Sequence, residues 1–301
     1  MAQVATPLTC KPLPARLKKT KSETMETKTI NYKLLSFFII LFILAVVFMI
    51  NITFTSKIPN SILLLIRVIL IALFFGVWRF FQRKKRENFK NLAFTLMVIN
   101  LAFFIVSFFT NDLWNINIES SRGIALAKLS DSVIICFVLI FAFLIAGYKL
   151  KDIYIAKGRF IIGLTIGFLT FVLMGLLALN YSEPPIEFIF LKRNSLWILL
   201  FVFSNAFMEE LLFRGVFLKQ LNNFFKPIWS IILTAIVFAA SHIQVTYTPD
   251  VLFFVGLVLI LGLLWGFLMH YTKSIIASML FHAGADLMII IPIYSTFGVF
   301  G

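Results

Sequence analysis

Apolar runs long enough to cross a bilayer recur along nearly the whole of this 301-residue chain, and that recurrence constrains its fold more than any other feature. Nine such runs lie near 34–52, 62–79, 92–109, 132–148, 160–179, 196–213, 228–242, 251–271 and 275–293. A helix rises 1.5 Å per residue, so roughly 18 to 20 apolar residues cover the hydrocarbon core. Transmembrane β-strands would show alternating segments of about ten residues, and the runs do not alternate. The expected fold is therefore all-α, a polytopic transmembrane helical bundle of eight to nine spans. It has eight if one short run lies at the interface. Composition agrees: 61% of residues are hydrophobic, the mean hydropathy is +1.00, and 13% are charged. A soluble domain carries about 25% charged residues. The 37 Phe suit a surface whose partners are membrane lipids.

A formal net charge of +14 raises nucleic acid as a partner, but the distribution of the cations argues against it. Basic residues gather in the first 33 positions, at 83–90, at 149–159 and around Lys219 and Lys226. The intervening loops are poorer in Lys and Arg, or balanced by acids. That is the pattern of cytoplasmic loops facing anionic lipid, and it places the N-terminus in the cytoplasm. The loop at 180–195 fits least well, since Glu183 and Glu187 precede Lys192 and Arg193. No aromatic and basic residues interleave as a nucleic-acid platform requires. Two cysteines, Cys10 and Cys136, give neither a disulfide framework nor a metal spacing. The basic segment before the first run reads as a cytoplasmic tail, within which Met25 is an alternative start.

Six ionisable residues stand where the last hundred residues should thread the bilayer: Glu209, Glu210, Arg214, His242, His282 and Asp286. Charges at membrane depth are costly, and those that persist mark function. In the earlier runs the corresponding residue is Arg67, which near the start of its span is expected to snorkel to the interface. Glu210 and Arg214 are four apart, share a helical face and can pair. Such a pair is architectural. Glu209 is turned about 100° away and lacks that partner, which suits it to general-base work on water. Asn205, one turn earlier on the same face, can orient it. His282 and Asp286 are also four apart on one face. An imidazole and a carboxylate so placed can hold a tautomer, donate to an oxyanion or ligate a metal. His270, at a span end, receives no role. Gly-x-Ser-x-Gly and His-Glu-x-x-His do not occur, so a serine elbow and a zincin site are excluded.

Glu-Glu-x-x-x-Arg at 209–214, Phe-x-x-x-His at 238–242 and His-x-x-x-Asp at 282–286 follow one another in order. Together they resemble the CPBP (Abi) family of intramembrane proteases, which includes type II CAAX prenyl endopeptidases and lysostaphin-resistance-like proteins. Asp286 stands where that family carries Asn or Asp. The resemblance covers about 195–293, which implies a catalytic transmembrane domain there. Before it would come a basic tail at 1–33 and variable transmembrane helices at 34–194, and after it a short tail at 294–301.

By that resemblance Glu209 and His242 activate water, and His282 and Asp286 bind or polarise the scissile carbonyl. Glu210, Arg214 and Asn205 support them. The cofactor stays open. Glu209, His242 and His282, with Asp286, are donors that a zinc ion can use, or they hold a water and an oxyanion without metal. The balance favours the metal-free form, since Glu209 would otherwise serve as both ligand and base. The implied activity is hydrolysis of a peptide bond in a membrane-associated or lipidated peptide or protein. The substrate would be of CAAX type, or a bacteriocin or pheromone precursor. The alternative is a non-catalytic scaffold or bacteriocin-immunity protein of the same fold, and a transporter ranks well behind both. The expected location is a bacterial plasma membrane.

Overall fold

The computed structural model describes residues 34–53, 57–109, 114, 116–181 and 185–296. The expected tails at 1–33 and, from 297 onward, at the C-terminus lie outside the described residues. The chain divides into two compact units, Met1–Leu44 and Ala45–Gly301. Of the first, residues 34–44 are described, and they are helical. Everything that follows concerns the second.

Nine helices run through the described residues: α1 Leu34–Ile52, α2 Asn60–Arg83, α3 Glu87–Phe108, α4 Ser121–Ile145, α5 Phe160–Asn180, α6 Phe188–Leu221, α7 Pro227–Ala240, α8 Val251–Thr272 and α9 Ile276–Ser295. No strand occurs among those residues. Eight of the nine are long and apolar enough to cross a membrane. The exception is α7, which has 14 residues and a length of about 21 Å, well short of a hydrocarbon core of about 30 Å. The all-α polytopic bundle of eight spans is the lower of the two expected counts.

The outward faces carry Leu252, Phe188 and Ile161 at 85%, 80% and 79% exposure. Water would oppose such a surface, and lipid accepts it. The protein is an integral membrane protein.

Two helix starts differ from the sequence expectation. Helix α4 begins at Ser121, eleven residues before the run expected at 132. Ser120 caps it by accepting a hydrogen bond from the Gly123 amide at 3.1 Å. The cations of its first turns lie over rings of α6, Arg122 at 5.6 Å from Trp197 and Lys128 at 5.6 Å from Phe201. Helix α6 likewise starts at Phe188 rather than 196 and carries Lys192 and Arg193 within its first turns. Both helices begin in charged sequence that a search for apolar runs passes over.

Helix α9 holds half of the site and packs mainly on α5 and α6. Small residues permit this approach. A Cβ on Gly167 of α5 would come within 2.8 Å of Leu280, and one on Gly284 of α9 within 2.7 Å of the Phe171 Cα. Inside α6 the stretch Leu211–Leu218 widens into a π-helix, all eight residues of which are buried. Glu209 and Glu210 lie immediately before it. Wide turns of this kind concentrate at functional sites because they re-aim side chains within an otherwise regular helix.

Candidate active site

Glu210 is fully buried, and its Oε1 lies 2.9 Å from Arg214 Nη1. The expected pair therefore forms. Arg214 is itself fully buried, with its guanidinium 4.2 Å from the Phe238 ring centroid and 5.4 Å from that of Trp265. Its Nη2 donates to the Gly262 carbonyl at 3.4 Å. A Cβ at Gly262 would come within 3.1 Å of Arg214 Nη2, a tight approach that glycine avoids.

The same Glu210 oxygen also accepts from His282 Nδ1 at 2.9 Å, a contact that helical spacing could not show. A carboxylate accepts only, so this bond puts the proton on Nδ1 and orients the ring. Trp265 stacks on His282 at 4.0 Å with an interplanar angle of 8°. The other ring nitrogen, Nε2, lies 3.5 Å from Glu209 Oε2 and 3.6 Å from Asp286 Oδ1. Adjacent acids on α6 thus bracket one imidazole, Glu210 at Nδ1 and Glu209 on the Nε2 side. The divergence expected of neighbouring helical residues becomes a division of the two ring nitrogens.

Asn205 does not orient Glu209. Its Nδ2 donates to Asp286 Oδ2 at 2.9 Å. Being on the same face as Glu209 gave it the right direction, but α9 supplies a nearer acceptor.

His242 follows the last turn of α7. Its Nδ1 lies 2.8 Å from the Phe238 carbonyl and 3.2 Å from Ser241 Oγ. Glu209 and His242 together line a cavity of about 170 Å³ with Ile52, Phe213, Ser241, Gln244 and Val245. Glu209 also lines a larger cavity of about 520 Å³ on the side of α2–α4. His282 and Asp286 are not among the lining residues of either. They reach these spaces through Glu209. Glu209 Oε2 and Glu210 Oε2 are both buried without a hydrogen-bond partner among the described residues, whereas Glu210 Oε1 has two. Tyr247, in the loop after α7, is a further polar group near the site. Partial burial, reinforced by the Glu209 and Asp286 charges, holds its phenol above the usual range, so it remains a donor.

Among the described residues no three His, Cys, Asp or Glu side chains converge as a zinc site requires. His282 Nδ1 is held by Glu210 and His242 Nδ1 by a carbonyl, bonds that orient each ring through Nδ1 and leave Nε2 toward the site.

Residues 191–288 match the Rce1-like family, type II CAAX prenyl endopeptidase. That segment contains Asn205, Glu209, Glu210, Arg214, His242, His282 and Asp286. The match supports a CAAX-type intramembrane endopeptidase in general. No curated protein and no solved structure matches the chain.

Arg67 corrects another expectation. It does not snorkel: it is 4% exposed, and its Nε donates to Asn51 Oδ1 at 3.0 Å. Asn51 in turn donates from Nδ2 to Asn100 Oδ1 at 2.9 Å. The leading helices therefore hold buried polar chemistry of their own, joined across α1, α2 and α3.

Proposed function

We propose that the chain hydrolyses a peptide bond near the C-terminus of a membrane-associated or lipidated substrate, with Glu209 as general base. The observation that carries the reading is the unequal use of two adjacent acids. Glu210 is tied up through Oε1 by Arg214 and His282, while Glu209 has no arginine partner among the described residues and its partly exposed side chain lines a cavity shared with His242. A carboxylate held this way can take a proton from water as the water attacks a carbonyl. His242 shares that cavity and orients the same water. His282, protonated on both nitrogens between Glu210 at Nδ1 and the Glu209 and Asp286 carboxylates near Nε2, donates from Nε2 to the scissile carbonyl oxygen, and Asp286 holds the ring for it. The hydroxyl of water adds to the carbonyl carbon and its proton passes to Glu209. Collapse of the adduct then returns that proton to the departing amine. No metal takes part in this scheme.

The catalytic domain is assigned to 195–293 and a supporting region to 34–194. The distribution of basic loops supports a cytoplasmic N-terminus. The experiment is cleavage of a peptide panel, prenylated and not, by purified protein with and without chelator. Cleavage of the prenylated members that is unaffected by chelator is expected. Loss of activity to chelator, with recovery on added zinc, would overturn the metal-free scheme.

A further inference from the structure

The 520 Å³ cavity that Glu209 shares with α2–α4 contains two cations, Arg67 and Lys128, alongside Asp131. Its volume equals that of a sphere about 10 Å across, the span of about three extended residues. Arg67 is the unusual member. It is 96% buried (4% exposed) and sits in a membrane-crossing helix, and its partners among the described residues are neutral: Asn51 Oδ1 at 3.0 Å and the Phe103 ring at 6.0 Å. A cation at that depth is expensive to retain. Here it is also held rigidly. Asn51 is fixed by donating to the Val47 carbonyl and to Asn100, and Asn100 by donating to the Leu96 carbonyl. These bonds hold the guanidinium through Nε, and Arg67 lines the cavity. A preoriented fork of that kind matches a carboxylate bidentately.

Resting on the endopeptidase reading above, we propose that Arg67, assisted by Lys128, binds the free C-terminal carboxylate of the peptide whose scissile bond lies at Glu209. A C-terminal motif of CAAX type places a carboxylate three residues beyond its cysteine. The cavity has room for about three extended residues, and both Glu209 and Arg67 line it. The site thereby measures distance from the chain end. An internal copy of the same sequence presents no carboxylate and leaves Arg67 unpaired, a penalty that gives discrimination without a side-chain pocket.

The test uses the full chain in nanodiscs and two prenylated peptides that differ only in ending as a free carboxylate or a carboxamide. Wild type is expected to prefer the carboxylate about 10- to 100-fold in kcat/KM, the range of a charge-assisted hydrogen bond. R67Q brings that ratio toward one, R67K keeps part of it, and K128Q lowers it less. The wild-type comparison needs no variant to fold. Equal cleavage of both peptides by wild type would overturn the carboxylate subsite while leaving the protease reading intact. Cleavage of neither would overturn both. Repeating the assay in phosphatidylglycerol and in phosphatidylcholine separates a lipid phosphate. Inhibition of both peptides by phosphatidylglycerol that disappears in R67Q would make the lipid the occupant and reject the proposal.

Discussion

Two arginines are buried among the described residues of this membrane protein, and their surroundings differ in kind. Arg214 is enclosed by Glu210, the Gly262 carbonyl and the Phe238 and Trp265 rings. Arg67 is held by amides and a ring, and it faces open space. One charge is cancelled where it stands, and the other is positioned with its charge in hand. Burial alone therefore does not separate an architectural charge from a functional one. What separates them is whether a partner of opposite sign is already in contact. The same criterion divides the acids, with Glu210 paired to Arg214 and His282 through one oxygen and Glu209 lining two cavities without an arginine partner among the described residues.

The largest effect that can break this comparison is expected at Arg214. Arg214→Gln strands a fully buried carboxylate and should cost about 3–5 kcal/mol. Thermal unfolding of purified protein in detergent reads that cost. Because the stranded charge is the cause, the Glu210→Gln, Arg214→Gln double variant should be more stable than Arg214→Gln alone. Simple additivity would show that the two do not act as a pair. Next in size is Asn205→Ala, which removes the donor to Asp286 and should cost about 1.5–3 kcal/mol in the same assay. No change there would detach Asn205 from the site. Arg67→Gln should cost about 1–3 kcal/mol, the penalty of an unpaired Asn51 oxygen. A loss as large as that of Arg214→Gln would make Arg67 architectural as well. The smallest change is expected for Asn100→Ala, about 1 kcal/mol, because Asn51 keeps its bond to the Val47 carbonyl. Its informative readout is the carboxylate preference, which should fall as Arg67 loses its anchor.

Much of the fold was legible because apolar length is a one-dimensional property. Eight of the expected runs appear as helices long enough to span, and the run at 228–242 is the short helix α7, closing at Ala240 before His242. The starts of α4 and α6 were not legible, since Arg122 and Lys128 resemble loop residues until Trp197 and Phe201 lie beneath them. The same holds within the site. Spacing four apart found Glu210 with Arg214, and His282 with Asp286, because both members of each pair lie on one helix. Contacts between helices carry no such signature. The Glu210 to His282 bond, the Asn205 to Asp286 bond, the Trp265 stack and the Asn51, Arg67 and Asn100 chain all depend on which helices become neighbours. Asn205 illustrates the limit well: its face was right, and its partner came from another element.

The central claim is that Glu209 and Glu210, adjacent and chemically identical, hold different offices. The measurement that tests it most directly is single-turnover cleavage of a prenylated peptide in H₂¹⁸O by wild type and Glu209→Gln, with thermal unfolding run in parallel. Wild type should place one ¹⁸O in the new carboxylate. Glu209→Gln should lose about 10²- to 10⁴-fold in rate, the range of a general base, while unfolding within a few degrees of wild type. A Glu209→Gln protein that stays folded and cleaves at the wild-type rate would contradict the account.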